Sequence, residues 1–510
     1  MKVVSADQMR EIDRITIQER GIPGRQLMEH AGRSVADEIV ERFERGAVAV
    51  VAGKGNNAGD GLVVARHLVG HHWPVTLFFL SDPGGLRGDA RAMCDALPTD
   101  VARVRIESPE QLRDALRDFE LIVDAILGTG VKGPVTGLFG EAIEVLNSAS
   151  RPIVSVDIPS GLSADTGPIE GPVVRATRTV TIGLPKLGMV VEPGIRFTGT
   201  VSVAAIDFPQ DLLNDRKIRT NLLTENMINL YLPERPPDGH KGTFGSVLIV
   251  GGSPGMTGAP VMASRAAMRS GVGLVYCVTP EQIDPLVTVR LLEELTIALP
   301  SEDGRHFDVR SLPMLISRAA QMDAIAIGPG IGRAPGTQQF VRKAVEELEL
   351  PMVIDADALN ALGGHLDVLH GRKAPTVLTP HPGEMSRLIG QSTQQIQENR
   401  IGAARNLAVN FSVVVVLKGA QTVVAEPDGG VYINPTGNTG LAKGGSGDVL
   451  TGLIAGLAAQ TGKVLPATLC GVFLHGLAAD LAADTIPPRG MIPSDVIEHI
   501  PKAFEALMRE

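Results

Sequence analysis

The run Asn438-Thr439-Gly440-Leu441-Ala442-Lys443-Gly444-Gly445-Ser446-Gly447-Asp448 sets an aspartate behind three glycines and ahead of an apolar helical stretch. Backbone amides freed by Gly444, Gly445 and Gly447 can converge on an anion, and a helix beginning near Asp448 adds the positive end of its dipole. Such a cradle suits a phosphoryl group in transfer, with Asp448 as the base that takes a proton from the accepting hydroxyl. The alternative is an ordinary helix N-cap at Asp448.

A second glycine-rich loop, Gly53-Lys54-Gly55-Asn56-Asn57-Ala58-Gly59-Asp60-Gly61, lies between an apolar strand-like run and the helical stretch Leu62–Leu68. Strand, glycine loop and helix in that order make an anion site. No GK[ST] ends the loop and no GxGxxG fills it, so it is neither a Walker loop nor the dinucleotide fingerprint. The oxygens of Asn56, Asn57 and Asp60 suit a hard cation, although two asparagines also serve as left-handed turn residues. Asp124 precedes Gly128-Thr129-Gly130-Val131-Lys132-Gly133-Pro134, and Asp157 precedes Pro159-Ser160-Gly161. Ligands of open parallel sheets bind outside the carboxyl ends of strands, so Asn57, Asp124, Asp157 and Ser160 are expected to converge. Each aspartate taken singly could be a turn cap.

The elements that must position these residues read as α/β throughout. Helices are predicted over Ala6–Glu19 and Arg25–Glu41, and strands over Ala47–Ala52, Val75–Leu80, Leu121–Ala125, Ile153–Asp157 and Val201–Ile206. A proline-punctuated connector follows, and a second alternation runs through Ser246–Val250, Gly273–Val278, Ala324–Ile327, Met352–Asp355, Thr376–Thr379 and Val413–Leu417 before a helical end from Val449 to Ala482. Two doubly wound domains are expected, residues 1–215 and 225–510, joined by a linker at 216–224. In the second, polar loops again follow strands: Gly251 to Ala259, Gly328-Pro329-Gly330, Asp355 to Asn360, Thr379-Pro380-His381-Pro382-Gly383-Glu384, and Leu417-Lys418-Gly419-Ala420-Gln421-Thr422. A lone His381 could equally be a satisfied core histidine.

Bulk properties narrow the partners. The 510 residues carry 57 acidic and 47 basic side chains, a net charge of −10 without a basic run, which argues against nucleic acid. Cys94, Cys277 and Cys470 are too far apart for metal or disulfide spacing and fit a reducing, cytoplasmic setting. Charges spread through the first 20 residues leave no signal-peptide core, and the apolar runs are read as too short to span a membrane.

GKGNNAGDG, DAILGTGVKGP and SVDIPSG resemble the N-terminal epimerase domain of the bacterial bifunctional NAD(P)H-hydrate repair enzymes, a Rossmann-like domain, over roughly residues 1–215. The resemblance implies that Asn56, Asn57, Ala58, Gly59, Asp60, Gly128, Thr129, Gly130, Val131, Lys132, Gly133, Pro134 and Asp157 bind the hydrated dinucleotide, and that Asn57, Asp124 and Ser160 hold K⁺. Ala58 stands where the family usually has a third glycine. The order of loops ending in HPGE, KGAQT and GGSGDVL is similar to the family's ribokinase-like dehydratase domain, over about residues 225–505. There Ala259, Gly330, His381 and Asp448 are implied to contact the hydrated nicotinamide dinucleotide, and Lys418, Gly419, Ala420, Gln421 and Thr422 with Gly447 the adenosine nucleotide.

With that substrate granted, Asp448 takes the proton of the C6 hydroxyl, the amides of Gly445, Ser446 and Gly447 steady the phosphoryl group, and Mg²⁺ offsets phosphate charge. ADP is the implied phosphoryl donor, leaving as AMP and phosphate. An elimination in a chiral pocket accepts one C6 epimer, so the first half is expected to interconvert the epimers, with Asp157 as acid or base and Lys132 pairing with phosphate. Homo-oligomerisation is a family-level expectation. The competing readings are a ribokinase-like small-molecule kinase fused to a nucleotide-binding domain, and a non-catalytic nucleotide-binding scaffold.

Overall fold

The computed structural model describes residues 1–131, 133–165, 171–204 and 206–508; Lys132, one of the expected ligand residues, lies outside them. The chain separates into two compact units, Met1–Thr220 and Asn221–Glu510.

The first unit is built on seven parallel strands in the order Ala102–Arg105, Val75–Phe79, Val48–Ala52, Leu121–Ala125, Ile153–Val156, Arg178–Ile182, Thr200–Ala204. The central strand Val48–Ala52 is buried along its whole length because helices cover both faces. Val48, Val50 and Ala52 pack with Val35, Ile39 and Leu62 from helices Gly24–Arg42 and Asn56–Gly70. Ala49 and Val51 point the other way, into a cluster with Leu112, Ile143 and Leu146 from helices Pro109–Ala115 and Gly137–Ser148. Strand order reverses between Val48–Ala52 and Leu121–Ala125, which opens a crevice at their carboxyl ends. Gly53 is required there, since a Cβ would overlap the carbonyl oxygen of Ile126.

Three local findings differ from the sequence reading. The helix after the first glycine loop starts at Asn56, not Leu62, so Asn56 and Asn57 are helical and not left-handed turn residues. The N-terminal helix Ala6–Arg14, closed by a capping box between Ser5 and Gln8, widens into a π-helical turn over Ile15–Glu19. Strands Ala102–Arg105 and Arg178–Ile182 are additional; the first is a largely exposed edge strand whose two arginines hide any apolar alternation.

In the second unit the strands run in the order Val431–Ile433, Val423–Ala425, Val414–Leu417, Thr376–Leu378, Met352–Ile354, Ala324–Ile327, Ser246–Val250, Leu274–Pro280, Leu295–Leu299. All pairings from Val414–Leu417 onward are parallel, and the two before it antiparallel. The expected helical end divides at Gly462 into Ser446–Thr461 and Val464–Ala483. By length and composition Val464–Ala483 could cross a bilayer, contrary to the expectation that every apolar run is too short. Its window is 72% buried within the protein, where it joins the largest hydrophobic cluster.

Helix Ser446–Thr461 packs closely on Gly258–Arg269 through two glycines: a Cβ at Gly452 would overlap the carbonyl of Ala263, and one at Gly456 the hydroxyl of Ser270. This approach fixes the helix whose first turn carries Asp448. Gly452→Ala is expected to destabilise the second unit by about 2 kcal/mol, seen as a lower midpoint of its transition in urea; an unchanged midpoint would contradict the close packing.

Candidate active sites

At the crevice of the first unit a cavity of about 550 Å³ is lined by Asn56, Asn57, Asp60, Gly128, Thr129, Gly130, Val131 and Asp157, all expected from sequence, together with Asp13 and Lys186, which were not. Ala58 is buried in the core, so its methyl does not narrow the cavity, and Gly59 sits against Met28 and Ala90. Neither residue lines the space, nor do Gly133 and Pro134.

Below the loops, Asp124 is fully buried and accepts from Ser155 Oγ at 2.8 Å, the Ser160 amide at 2.9 Å and Ser160 Oγ at 2.5 Å. Burial pushes its carboxyl pKa up, against these hydrogen bonds, which pull it down. Asn57 Nδ2 donates to Leu127 O at 3.0 Å, while buried Asn57 Oδ1 has no partner. Ser160 Oγ also lies 3.1 Å from Leu127 O. Asn57, Asp124 and Ser160 are thus brought together around one carbonyl and an unsatisfied oxygen.

Asp157 stands immediately after its strand at φ 65°, a left-handed conformation that aspartate adopts more readily than most residues, and its carboxylate is held from two sides. The hold comes from the Ile182 amide at 2.9 Å and from the Lys186 ammonium, which is 0% exposed. Lys186 also donates to Thr181 Oγ1 at 3.0 Å and Ile182 O at 2.9 Å, so all three of its protons are used.

The second unit holds a cavity of about 670 Å³ lined by Asp355, His381, Lys418 to Thr422, Gly445 to Asp448 and His475. Helix Ser446–Thr461 is capped by Gly445 at φ 101°, so Asp448 is in the first turn and is not the N-cap. Asp355 at the end of its strand accepts from Lys418 Nζ and Thr379 Oγ1, both at 2.7 Å, and from Thr451 Oγ1 at 2.8 Å. Glu384 lies 3.8 Å from Lys418. Burial opposes the Lys418 charge, but Asp355 and Glu384 outweigh it and hold the ammonium above its usual range. Burial, reinforced by Asp355, pushes Asp448 up to about 7 despite Lys418.

His381 caps helix Pro382–Ile389: its Nδ1 accepts from the amides of Gly383 and Glu384, and Glu384 accepts from the His381 amide at 2.8 Å. It is half exposed on the cavity wall and not a core histidine, and burial with the nearby Lys418 lowers its pKa. Buried Gln421 Oε1, Ser446 Oγ and His475 Nε2 all lack partners and all belong to residues of this wall. Ala259, in the first turn of helix Gly258–Arg269, and Gly330, on the loop following Ala324–Ile327, lie side by side outside the cavity lining.

A family model described as YjeF-related protein N-terminus matches residues 24–188, and one described as NAD(P)H-hydrate dehydratase matches 247–502. The bifunctional NAD(P)H-hydrate repair enzyme of Moorella thermoacetica is 45% identical, aligned over 100% of this chain and 98% of its own. The chain belongs to the bifunctional NAD(P)H-hydrate repair enzyme family. The Thermofilum pendens member is 38% identical over 100% of this chain and 97% of its own. A crystal structure of the ADP/ATP-dependent NAD(P)H-hydrate dehydratase of Bacillus subtilis with ATP and Mg²⁺ is 35% identical, covering 56% of this chain and 98% of its own, with a TM-score of 0.48.

In this repair enzyme the sequence reading missed Asp13, Lys186, Asp355 as the partner of Lys418, and His475. Only Lys186 had a legible signal, one charge inside the apolar run from Val180 to Val191.

The environment of Asp448 has a consequence for stability. A carboxyl whose pKa rises on folding stabilises the fold fully below its unfolded value, near 4, and that contribution is lost as pH rises through about 7. Asp448→Asn cannot ionise and is expected to raise Tm relative to the parent at about pH 8 but not at about pH 4. Thermal unfolding at both values checks this; the same difference at both would contradict it.

Proposed function

We propose that the two cavities carry the two reactions of the family in turn: the first unit interconverts the C6 epimers of NAD(P)H hydrate, and the second dehydrates the S epimer to NAD(P)H with ADP as phosphoryl donor. The observation that carries this is Asp448 in the first turn of a glycine-capped helix, beside the ion pair of buried Asp355 with Lys418.

In the second unit Asp448 takes the proton of the C6 hydroxyl, and the hydroxyl oxygen attacks the terminal phosphoryl group of ADP as AMP leaves. The amides of Gly445 and Gly447 are assigned to the charge that develops, at the positive end of the helix, whereas the Ser446 amide donates to Lys443 O at 3.3 Å. Lys418 to Thr422 hold the nucleotide, and Gln421 Oε1 and Ser446 Oγ offer unsatisfied polar atoms to it. Phosphate then departs from C6 while C5 loses a proton, restoring the ring double bond. His381, Ala259 and Gly330 are assigned to the hydrated nicotinamide dinucleotide. Among the described residues no cluster of three His, Cys, Asp or Glu side chains forms a metal cage, which fits Mg²⁺ carried on the phosphates. When bound, Mg²⁺ supplies charge neutralisation on the phosphates, with Asp355 and Asp448 as the nearby carboxylates.

In the first unit the loops Asn56 to Asp60 and Gly128 to Pro134 receive the dinucleotide, and Asp157 is the base. Asn57 Oδ1, Asp124, Ser160 Oγ and Leu127 O are the oxygens that fit K⁺, and the unpartnered amide oxygen of Asn57 supports this reading. When bound, K⁺ supplies positive charge for the phosphates or hydroxyl of the substrate. Homo-oligomerisation and a cytoplasmic setting belong to this reading.

Recovery of nicotinamide absorbance from S hydrate with ADP and Mg²⁺ tests the dehydratase assignment. The rate is expected to fall as pH drops through about 7, where Asp448 takes up a proton, and Asp448→Asn to lose about 10³-fold in kcat. No recovery, with ATP-dependent phosphorylation of another alcohol, would establish the kinase reading instead.

A further inference from the structure

The first cavity contains more proton-transfer chemistry than one aspartate. Asp13 reaches it from the far N-terminus. Met9, Asp13 and Ile17 succeed one another at four-residue intervals along the helix and its π-helical turn, and all three line the wall. π-Turns occur frequently at functional sites.

The helix is bolted to the Lys186 segment. Val4 pairs with Lys186 in an isolated parallel bridge: its amide donates to Pro185 O at 3.0 Å and its carbonyl accepts from the Leu187 amide at 2.9 Å. Asp165 Oδ1 accepts from the Ala6 amide at 2.9 Å. Val4, Met9 and Ile12 share a buried cluster with Leu184 and Phe208. Asp13 is therefore held in place relative to Asp157 and Lys186 by backbone pairing as well as packing.

The carboxyls on this wall differ in environment. Asp157 is bonded to the Lys186 ammonium and the Ile182 amide. Asp13 and Asp60 have no hydrogen-bond partner among the described residues, and Asp60 is only 8% exposed. Burial pushes Asp13 up to about 6, the charge of Asp157 adding to this and Lys186 opposing it. Burial and the charges of Asp157 and Asp13 hold Asp60 well above the carboxylate range. Arg10, Lys54 and Asp89 are the other charged groups lining the cavity.

We propose that Asp13 is a catalytic acid of the epimerase half, working with Asp157 as the base, and that Lys186 is the positioning residue that keeps their roles distinct. This rests on the assignment of epimerisation to the first unit. Hydroxide is a poor leaving group, so inversion at C6 needs a proton on one side of the step and a proton acceptor on the other. Asp13 gives its proton to the C6 hydroxyl as the C6–O bond breaks. The bonding pair leaves with the oxygen as water, and the lone pair of ring N1 forms a double bond to C6. Water then adds to C6 from the opposite face, its proton passing to Asp157 and the N1–C6 pair returning to nitrogen. Proton exchange with solvent resets both carboxyls, and no redox partner is needed.

The test follows conversion of purified R hydrate to S by the full-length protein, corrected for the uncatalysed rate, across pH. In the parent the rate is expected to fall as pH rises through about 6, as Asp13 loses its proton. Asp13→Asn should lower kcat by about 10²-fold with KM nearly unchanged and abolish that fall, and Asp13→Glu should restore it. ADP-dependent dehydration of S hydrate by the same preparations reports that the second unit is folded, and thermal unfolding of Asp13→Asn with the parent transition of the first unit reports the same for the first. Asp13→Asn with the parent rate would overturn the inference, as would a loss of rate that leaves the pH profile intact. A parent protein that does not convert R hydrate at all would overturn the epimerase assignment itself.

Discussion

Two lysines paired with aspartates, Lys186 fully buried and Lys418 part-buried, decide where charge can sit in this protein. Removing an ammonium from water is unfavourable by several kcal/mol unless its protons are all bonded and an opposite charge is adjacent. Lys186 meets this with Asp157, Thr181 and Ile182, while Lys418, part-buried on the cavity wall, bonds Asp355 and has Glu384 at 3.8 Å. Each pair places its aspartate just beyond the carboxyl end of a parallel strand. Burial pushes the neighbouring carboxyls Asp13, Asp60 and Asp448 upward; the charge of Asp157 or Asp355 adds to this, and Lys186 or Lys418 opposes it. One carboxyl bonded to an ammonium beside another poised to exchange its proton is the arrangement from which acid and base roles separate.

The two sheets make this possible by the same topological means. In each, strand order reverses about a buried central strand, Val48–Ala52 in one and Ser246–Val250 in the other, and loops diverge at the carboxyl ends. Glycines then bring backbone close where a side chain would not fit. Gly53 lies against Ile126, and Gly445 turns the chain into helix Ser446–Thr461. The close packing at Gly452 holds that helix, and with it Asp448, at a set height over Asp355 and Lys418. Fold stability and site geometry are coupled here: the packing that stabilises the unit also keeps an unfavourable carboxyl buried.

What could be read from the sequence follows this logic. Ser246–Val250 and Ala324–Ile327 are almost wholly apolar, Leu121–Ala125 is apolar but for Asp124, and the limits of all three agree with the structure. Ala102–Arg105, at an edge, and the short antiparallel strands Val423–Ala425 and Val431–Ile433 carry too little pattern to stand out. Asp448 stood out as a candidate because Gly444, Gly445 and Gly447 precede it within four residues. Asp13 was not, since on a charged amphipathic helix one more acid looks like a solvated face. Its role comes from a tertiary pairing, Val4 with Lys186, that spans most of the first unit's sequence. His475 was hidden for the opposite reason, as a single polar residue within a long apolar helix.

The central claim is that burial beside the lysine–aspartate pairs leaves Asp13 and Asp448 with pKa values near neutrality. Labelling the aspartate carboxyls with ¹³C and titrating the full-length protein by NMR tests it most directly, with Asp13→Asn and Asp448→Asn spectra assigning the two signals by difference. The account predicts midpoints at about 6 for Asp13 and about 7 for Asp448. Both signals titrating at about 4, as in an exposed aspartate, would contradict it.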